Sequence, residues 1–265
     1  MVNLSIVLIV LISNYLVLYW ILLIFPKRRI KNLIATKKIY ISVVIPFRNE
    51  AENLPNVVQS LINQNLPKKD FEVIFVDDHS KDKSLEVLNN LLKNSDLNYN
   101  VLILEGSFGK KSALEKGFNA SSGEIIIQTD ADVILSPFWI EKHINEHNSH
   151  TTLLVCGAVD LIPKKGLLNQ LQKIEMMALI QSSYLTININ KPVMCNGANL
   201  SFKRQILPEV RNSYKKIESM SGDDVFLLHQ VNEKYGSNSI VFLASSEGTV
   251  QTYTLEKIND LLKQR

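Results

Sequence analysis

Asp130 and Asp132 stand one residue apart at the end of the apolar run Ile125-Ile126-Ile127-Gln128-Thr129. In an extended chain, side chains at i and i+2 leave the same face, so the two carboxylates converge on one point just past a strand end. Paired hard oxygens of this kind suit Mg²⁺ or Mn²⁺, ions that usually accompany a phosphate-bearing substrate. The pair therefore points to chemistry on a sugar nucleotide. Alone it is a weak signal, because aspartate is also the ordinary residue of a solvated turn after a strand.

Other clusters keep it company. Arg48-Asn49-Glu50 follows one apolar run, Asp77-Asp78-His79 follows another, and Asp223-Asp224 opens a helical stretch. Each has a plain structural reading. Asp77 and Asp78 suit a helix cap, Asp223 and Asp224 suit a helix N-terminus, Lys110-Lys111 suits a solvated face and Asn196-Gly197 a turn. His143 and His147 have the i, i+4 spacing of a metal pair on a helix, but no cysteine or acid pattern completes a zinc site. Cys156 and Cys195 lie in apolar surroundings without a CxxC, and read as reduced core thiols of a cytosolic domain rather than a disulfide.

The elements that must position these residues alternate. Tyr40–Ile45, Phe71–Val76, Val101–Leu104 and Glu124–Gln128 read as buried strands. Between them, Glu52–Gln64, a helix capped by Ser80 and running through Leu92, and Lys110–Ala120 carry apolar residues at helical spacing. Such alternation predicts an α/β fold with a Rossmann-like, mostly parallel sheet and helices on both faces, with ligands beyond the carboxyl ends of the strands. The polar clusters fall at that edge. Further on, Leu153–Val159 reads as a strand and Pro192–Phe202 as extended. Leu167–Leu185 reads as a long amphipathic helix with Leu168, Leu171, Ile174, Met177 and Ile180 inward. Asp223–Lys234 reads as a helix, Ile240–Leu243 as a strand, and Thr254 as the opening of a last helix to Arg265. No shift in composition marks a linker, so residues 39–265 read as one domain.

The N-terminus is different. Leu4 to Phe25 is 22 residues without a charge, about 33 Å as a helix and enough for a bilayer core. Pro26-Lys27-Arg28-Arg29 stops it, and residues 27–38 form a basic linker. No basic segment precedes the run and no cleavage pattern follows it, so an anchor (residues 1–26) fits better than a signal peptide. The positive-inside rule then places the rest in the cytoplasm, as at a bacterial inner membrane. The net charge of +3 resides in this segment. Residues 1–38 hold six of the 29 basic residues and no acid, leaving 23 against 26 acids beyond them. A slightly acidic body argues against nucleic acid as a partner.

Taken in order, the motifs resemble the family 2 inverting glycosyltransferases of GT-A fold. Val43-Val44-Ile45-Pro46-Phe47-Arg48-Asn49-Glu50 is similar to that family's opening strand. Val76-Asp77-Asp78-His79-Ser80, Gly109-Lys110-Lys111-Ser112-Ala113-Leu114, Thr129-Asp130-Ala131-Asp132, Asn196-Gly197-Ala198-Asn199 and Gly222-Asp223-Asp224 follow in its order. The resemblance implies transfer of a sugar, with inversion, from a nucleoside-diphosphate donor, by family habit a UDP-sugar, to a glycan or lipid-linked acceptor at the cytosolic membrane face. It implies Mg²⁺ or Mn²⁺ on Asp132, with Asp130 beside it or facing the ribose. Donor binding falls to Pro46, Arg48, Glu50, Asp77, Asp78, Lys110 and Asp130, and acceptor binding to Asn196, Gly197, Ala198 and Asn199. Asp224 is implied as the base, with Asp223 as the fallback. The membrane polysaccharide synthases of this family carry a Gln-x-x-Arg-Trp motif; here Gln264 stands where it would begin, and the chain is expected to be truncated inside it. A non-catalytic nucleotide-sugar-binding relic or assembly subunit is the alternative. A nucleotidyltransferase ranks last, since Pro46-Phe47-Arg48-Asn49 is no glycine-rich phosphate loop.

Overall fold

A computed structural model describes Ser13, residues 39–215 and residues 222–255 of the chain. The expected anchor (Ser13 apart), the basic linker, the helix expected after Thr254 and Gln264 lie outside these residues. The chain divides into two compact units, Met1–Lys31 and Asn32–Arg265, and every element below belongs to the second. Among the described residues no helix is long and apolar enough to cross a membrane.

Four strands, β1 (Ile41–Phe47), β2 (Phe71–Asp77), β3 (Tyr99–Ile103) and β4 (Ile125–Thr129), run parallel. All seven residues of β1 are buried, as expected of a central parallel strand covered on both sides. The period of two sorts its neighbours between two cores. Val44, Ile74, Val76 and Ile126 enter one, while Val43, Ile45, Val73, Phe75, Ile125 and Ile127 enter the other. Each such side chain, fully buried, contributes roughly 1.5–3 kcal/mol.

On the second core lie α1 (Leu54–Ile62), α2 (Ser84–Lys93) and, later in the chain, α4 (Trp139–His147). On the first lies α3 (Lys110–Ala120), where a Cβ on Gly117 would collide with the Val44 side chain, so glycine lets α3 sit close on β1. The order of the main sheet is β3-β2-β1-β4-β8-β6-β9, with β6 (Leu154–Gly157), β8 (Asn199–Lys203) and β9 (Ile240–Leu243). Only β8 runs against the rest, between β4 and β6. A small second sheet joins β5 (Val133–Ile134), β10 (Val250–Tyr253) and β7 (Val159–Ile162) in the order β5-β10-β7. The first core is completed by α5 (Leu167–Asn188), α6 (Leu207–Lys215) and α7 (Asp223–Tyr235).

Several expectations change. The strand expected over 153–159 breaks at Ala158 into β6 and β7, which join different sheets. Of the extended stretch 192–202, only residues from Asn199 pair. Ser80 is not a helix cap; it lies in the loop before α2, and its backbone N–H donates to Asp77 Oδ1 at 2.9 Å.

The face of α5 is the largest correction. Leu171, Ile174 and Met177, expected inward, are 53%, 62% and 53% exposed, while Asn169, Gln172, Ser183 and Ile187 are the buried residues. The helix packs on β7 and β9 at the margin of the domain. Among its inward polar groups, Gln172 is paired on both sides: its Nε2 donates to the Leu255 carbonyl (2.8 Å) and its Oε1 accepts the Leu255 N–H (3.1 Å). Leu168 is half-buried and Ile180 packs against the first core, as expected, but the middle of the stripe, Leu171, Ile174 and Met177, faces outward.

Candidate active site

The loops after β1 and β2 are stitched into one platform. Asn49 and His79 both adopt positive φ (57° and 58°), a conformation that short polar residues tolerate. Asn49 N–H donates to Ser80 Oγ (3.0 Å), Asn49 Oδ1 accepts Lys81 N–H (2.8 Å), and Glu50 N–H donates to Ser84 Oγ (2.7 Å). Asp78 fixes a third segment, because both its oxygens accept the Gly109 N–H, at 3.0 and 3.1 Å. Gly109 has φ 101°, favoured by glycine, and its placement starts α3 so that Lys110 meets the end of β4.

A cleft of about 250 Å³ results, lined by Pro46, Phe47, Arg48, Glu50, Asp78, Lys110 and the segment Asp130-Ala131-Asp132. Lys110 Nζ lies 2.5 Å from Asp130 Oδ1, and Arg48 Nη1 lies 3.7 Å from Asp78 Oδ2. A second cleft of about 350 Å³ shares Asp130 and Asp132 with the first. Its other walls come from β5, β7, β10 and α5, with Asn196 and Ala198 between. The two carboxylates thus stand on the border of both hollows. The first is polar and charged; the second mixes apolar walls with polar points at Gln172, Glu175, Asn196 and Thr252.

The loop before β8 holds a further carboxylate, Asp224 of α7. Gly197 N–H donates to Asp224 Oδ2 (2.8 Å), and Val225 N–H donates to Asp224 Oδ1 (2.9 Å). On its other side, Gln128 Nε2 donates to Gly197 O (3.0 Å) and Thr129 Oγ1 to Ala198 O (2.7 Å). Segment 196–198 is therefore clamped between the end of β4 and the start of α7. Asp223 opens α7; its side chain lies outside the described residues.

Burial sets the electrostatics, and at Asp132 and Glu50 neighbouring acids add to it. Burial pushes the Asp132 carboxyl above its ordinary value and Asp130 adds to this, against the Thr252 hydrogen bond and the Lys110 charge. Burial likewise raises Asp224, against hydrogen bonds from the Val225 and Gly197 N–H groups. Burial raises Glu50 too, opposed by a hydrogen bond from Asn53 and reinforced by Asp132 and Asp130. Burial alone would lower the Lys110 ammonium, but Asp130, with Asp132 and Asp224 also in reach, holds it above its ordinary value. One lysine thus senses three carboxylates that span more than 90 positions of the chain.

Four expected site residues are not on the walls of these two clefts: Gly197 and Asp224, which are hydrogen-bonded to each other, and Asp77 and Asn199. Asp77 is buried, does not line the polar cleft, and accepts the Ser80 N–H. Asn199 is fully buried and cannot contact an acceptor, because all its hydrogen-bonding capacity is used internally. Its Oδ1 accepts Trp139 Nε1 (3.0 Å) and His143 Nε2 (2.9 Å), and its Nδ2 donates to Ala158 O (2.7 Å) and Gly248 O (2.9 Å). The histidines join the same network. Since Asn199 Oδ1 can only accept, His143 carries its proton on Nε2. Its Nδ1 then accepts from Ser201 Oγ (2.8 Å), and His147 Nε2 donates to that same hydroxyl (2.8 Å). Both histidines are neutral links of a buried chain, not metal ligands. Conversely, the sequence reading missed Thr252, whose hydroxyl donates to Asp132 Oδ2 (3.1 Å), and the α5 residues of the second cleft. The alternation Val250-Gln251-Thr252-Tyr253 was the available signal for Thr252.

The donor set fits a hard divalent ion. Asp130 and Asp132 offer carboxylate oxygens at the mouth of a polar cleft. Among the described residues no group of three or more His, Cys, Asp or Glu side chains gathers at one metal position, so the remaining ligands would have to come from water or a bound phosphate.

The profile of Glycosyl transferase family 2 matches residues 42–211. Over 94 residues, 35% of this chain and 29% of the relative, the sequence is 36% identical to an undecaprenyl-phosphate 4-deoxy-4-formamido-L-arabinose transferase of Proteus mirabilis. Among solved structures, a mannosyltransferase from Pyrobaculum calidifontis in complex with GDP-Man and Mn²⁺ is similar at TM-score 0.69 and 17% identity, over 94% of this chain and 67% of that one. TarS of S. aureus in complex with UDP-GlcNAc is similar at TM-score 0.61 and 20% identity, over 82% of this chain and 59% of that one. The chain spans 29 to 41% of the length of such curated relatives. The structural likeness establishes the α/β, GT-A type fold with its mostly parallel sheet.

Proposed function

The chain belongs to glycosyl transferase family 2, and from that premise we propose that it moves a sugar from a nucleoside-diphosphate sugar, a UDP-sugar, to a glycan or lipid-linked acceptor, inverting the anomeric carbon. One observation carries this reading: Asp130 and Asp132 form the common border of a charged cleft and a more apolar one. The charged cleft, with Arg48, Glu50, Asp78 and Lys110, receives the nucleoside diphosphate. The second cleft receives the acceptor. The transferred sugar then lies at the border, beside the carboxylates.

The chemistry follows from the positions. A divalent ion on Asp132 and Asp130, Mg²⁺ or Mn²⁺, would supply positive charge for the leaving diphosphate. Arg48 and Lys110 orient the phosphates from the protein side. Asp224 takes the proton of the acceptor hydroxyl as its oxygen bonds the anomeric carbon and the bond to the diphosphate oxygen breaks. Its raised pKa suits a base. Asp223, the neighbouring acid at the start of α7, is the fallback. Asn196 and Ala198 face the acceptor, and the Gly197 N–H holds Asp224 in place. A single base with in-line attack gives inversion.

The same reading places the catalytic unit at the cytosolic face of a membrane, behind an N-terminal anchor over residues 1–26 and a basic linker. Two observations support it. Leu4–Phe25 is an uncharged apolar run of bilayer length. The outer face of α5, beside the acceptor cleft, exposes Leu167, Leu171, Ile174 and Met177 with no charge among them. The kinship with an undecaprenyl-phosphate transferase agrees with a lipid-linked acceptor.

The test is a thermal-shift and nucleotide-release screen of UDP- and GDP-sugars with and without Mn²⁺. A UDP-sugar should stabilise the protein only when Mn²⁺ is present, and Asp132→Ala should abolish both binding and release. Metal-independent turnover, or turnover retained in Asp132→Ala, overturns the assignment.

A further inference from the structure

Lys110 stands where a cation would have to enter. Its ammonium, 2.5 Å from Asp130 Oδ1, occupies one of the few carboxylate oxygens available at the junction of the two clefts. The other nearby cation, Arg48, is directed to Asp78 instead, at 3.7 Å. Asp132 is differently held, by the Thr252 hydroxyl. The backbone beneath Lys110 is fixed, because Gly109 is tied by its N–H to both oxygens of Asp78. The side chain is not: four methylenes let an ammonium relocate by several ångströms without moving α3. The same ammonium lines the polar cleft in which a diphosphate would lie.

We infer that Lys110 is a resident counter-ion for Asp130 that competes with the divalent metal and is released onto the diphosphate of the donor, so that metal and nucleotide bind as a coupled pair. This inference rests on the metal-dependent reading above. The two-carboxylate donor set explains the direction of coupling. Among the described residues no third carboxylate joins Asp130 and Asp132 at one metal position, so the protein holds the ion weakly while an ammonium occupies one of them. A diphosphate supplies further oxygen ligands and, in the same event, a new partner for Lys110. By linkage, whatever factor the nucleotide adds to metal affinity, the metal adds to nucleotide affinity. Lys110 is therefore a positioning residue for the metal as well as a donor contact, and its two roles have opposite signs. Removing the ammonium should weaken the nucleotide but strengthen the metal.

Mn²⁺ titrations of the full chain followed by electron paramagnetic resonance, with and without UDP, separate these signs. Lys110→Met should bind Mn²⁺ without nucleotide at least tenfold more tightly than wild type, and UDP should strengthen its Mn²⁺ binding by a smaller factor. Lys110→Arg, which keeps a cation, should stay within threefold of wild type. Unchanged melting temperatures show that each variant is folded. Equal or weaker Mn²⁺ affinity in Lys110→Met, alongside UDP-enhanced binding in wild type, overturns this inference and leaves the proposed function standing. Absence of Mn²⁺ binding to all three proteins, even with UDP, overturns both.

Discussion

Acid should destabilise this domain through the buried histidine chain behind the site, and the size of the effect can be worked out. His143 and His147 are fully enclosed, and burial lowers them from 6.5 to about 4 and about 3, respectively. A folded-state pKa below the unfolded value means that the unfolded chain binds more protons between the two. The stabilisation is therefore complete above pH 6.5 and is lost as pH falls through that value toward the folded pKa. At pH 5 each histidine lies about 1.5 units into its window, which at 1.36 kcal/mol per unit removes about 2 kcal/mol. Together they remove about 4 kcal/mol, a large part of the 5–15 kcal/mol typical of a domain. Glu50, Asp132 and Asp224 work the other way, since their raised values favour the folded state as they protonate. A comparison with His147→Gln isolates the histidine contribution, because the glutamine amide can still donate to Ser201 Oγ. Urea denaturation of both proteins at pH 7.5 and pH 5 is the assay. Wild type should lose about 2 kcal/mol more than His147→Gln between the two conditions. Equal losses within about 0.5 kcal/mol would refute the neutral, buried assignment of His147.

Other outcomes follow from the same geometry. Asp224→Asn should cut transfer by about 10² to 10⁴-fold, with donor binding retained. In wild type the rate should fall as pH drops through the raised pKa of this carboxyl, since the base must be ionised; pH–rate profiles check both. Thr252→Val removes the hydroxyl that donates to Asp132 without changing shape, and should lower kcat/KM by roughly 10-fold in a nucleotide-release assay at saturating Mn²⁺. On α5, Ile174→Ser should change urea stability by no more than about 0.5 kcal/mol, whereas Ile187→Ala should cost about 2–5 kcal/mol. The double variant Leu171→Glu, Ile174→Glu should reduce sedimentation of the protein with anionic liposomes; undiminished sedimentation would remove α5 from the membrane reading.

Much of the fold was readable because its signals are local. A run such as Ile41–Phe47 is buried on both faces, so it is apolar throughout and announces a central strand. Carboxylates at strand ends follow from parallel topology, and Asp130, Asp132, Glu50 and Asp78 do meet Lys110 at one edge. Asp224 was readable only as a candidate: it carries equal local credentials as a helix-start acid, and its tie to Gly197 crosses 27 positions. Where the reading failed, the deciding partners were remote. Asn199 sits in a motif that suggests ligand contact, yet its partners Trp139, His143, Ala158 and Gly248 come from three other parts of the chain.

The sequence by itself determined the alternation of strand and helix, the edge at which acids gather, and the presence of an apolar stripe along Leu167–Asn188. Tertiary structure alone decided which way that stripe points, which polar side chains are spent inside the protein, and that Thr252 and Gln172 frame the second cleft. The reason is physical. Periodicity records how residues within a few turns of one another share a face, but burial and hydrogen-bond satisfaction depend on what other elements bring to that face. For α5, the Leu255 backbone claimed the polar side through Gln172, and Leu171, Ile174 and Met177 were left to the outside, while Ile180 and Ile187 still reach the core.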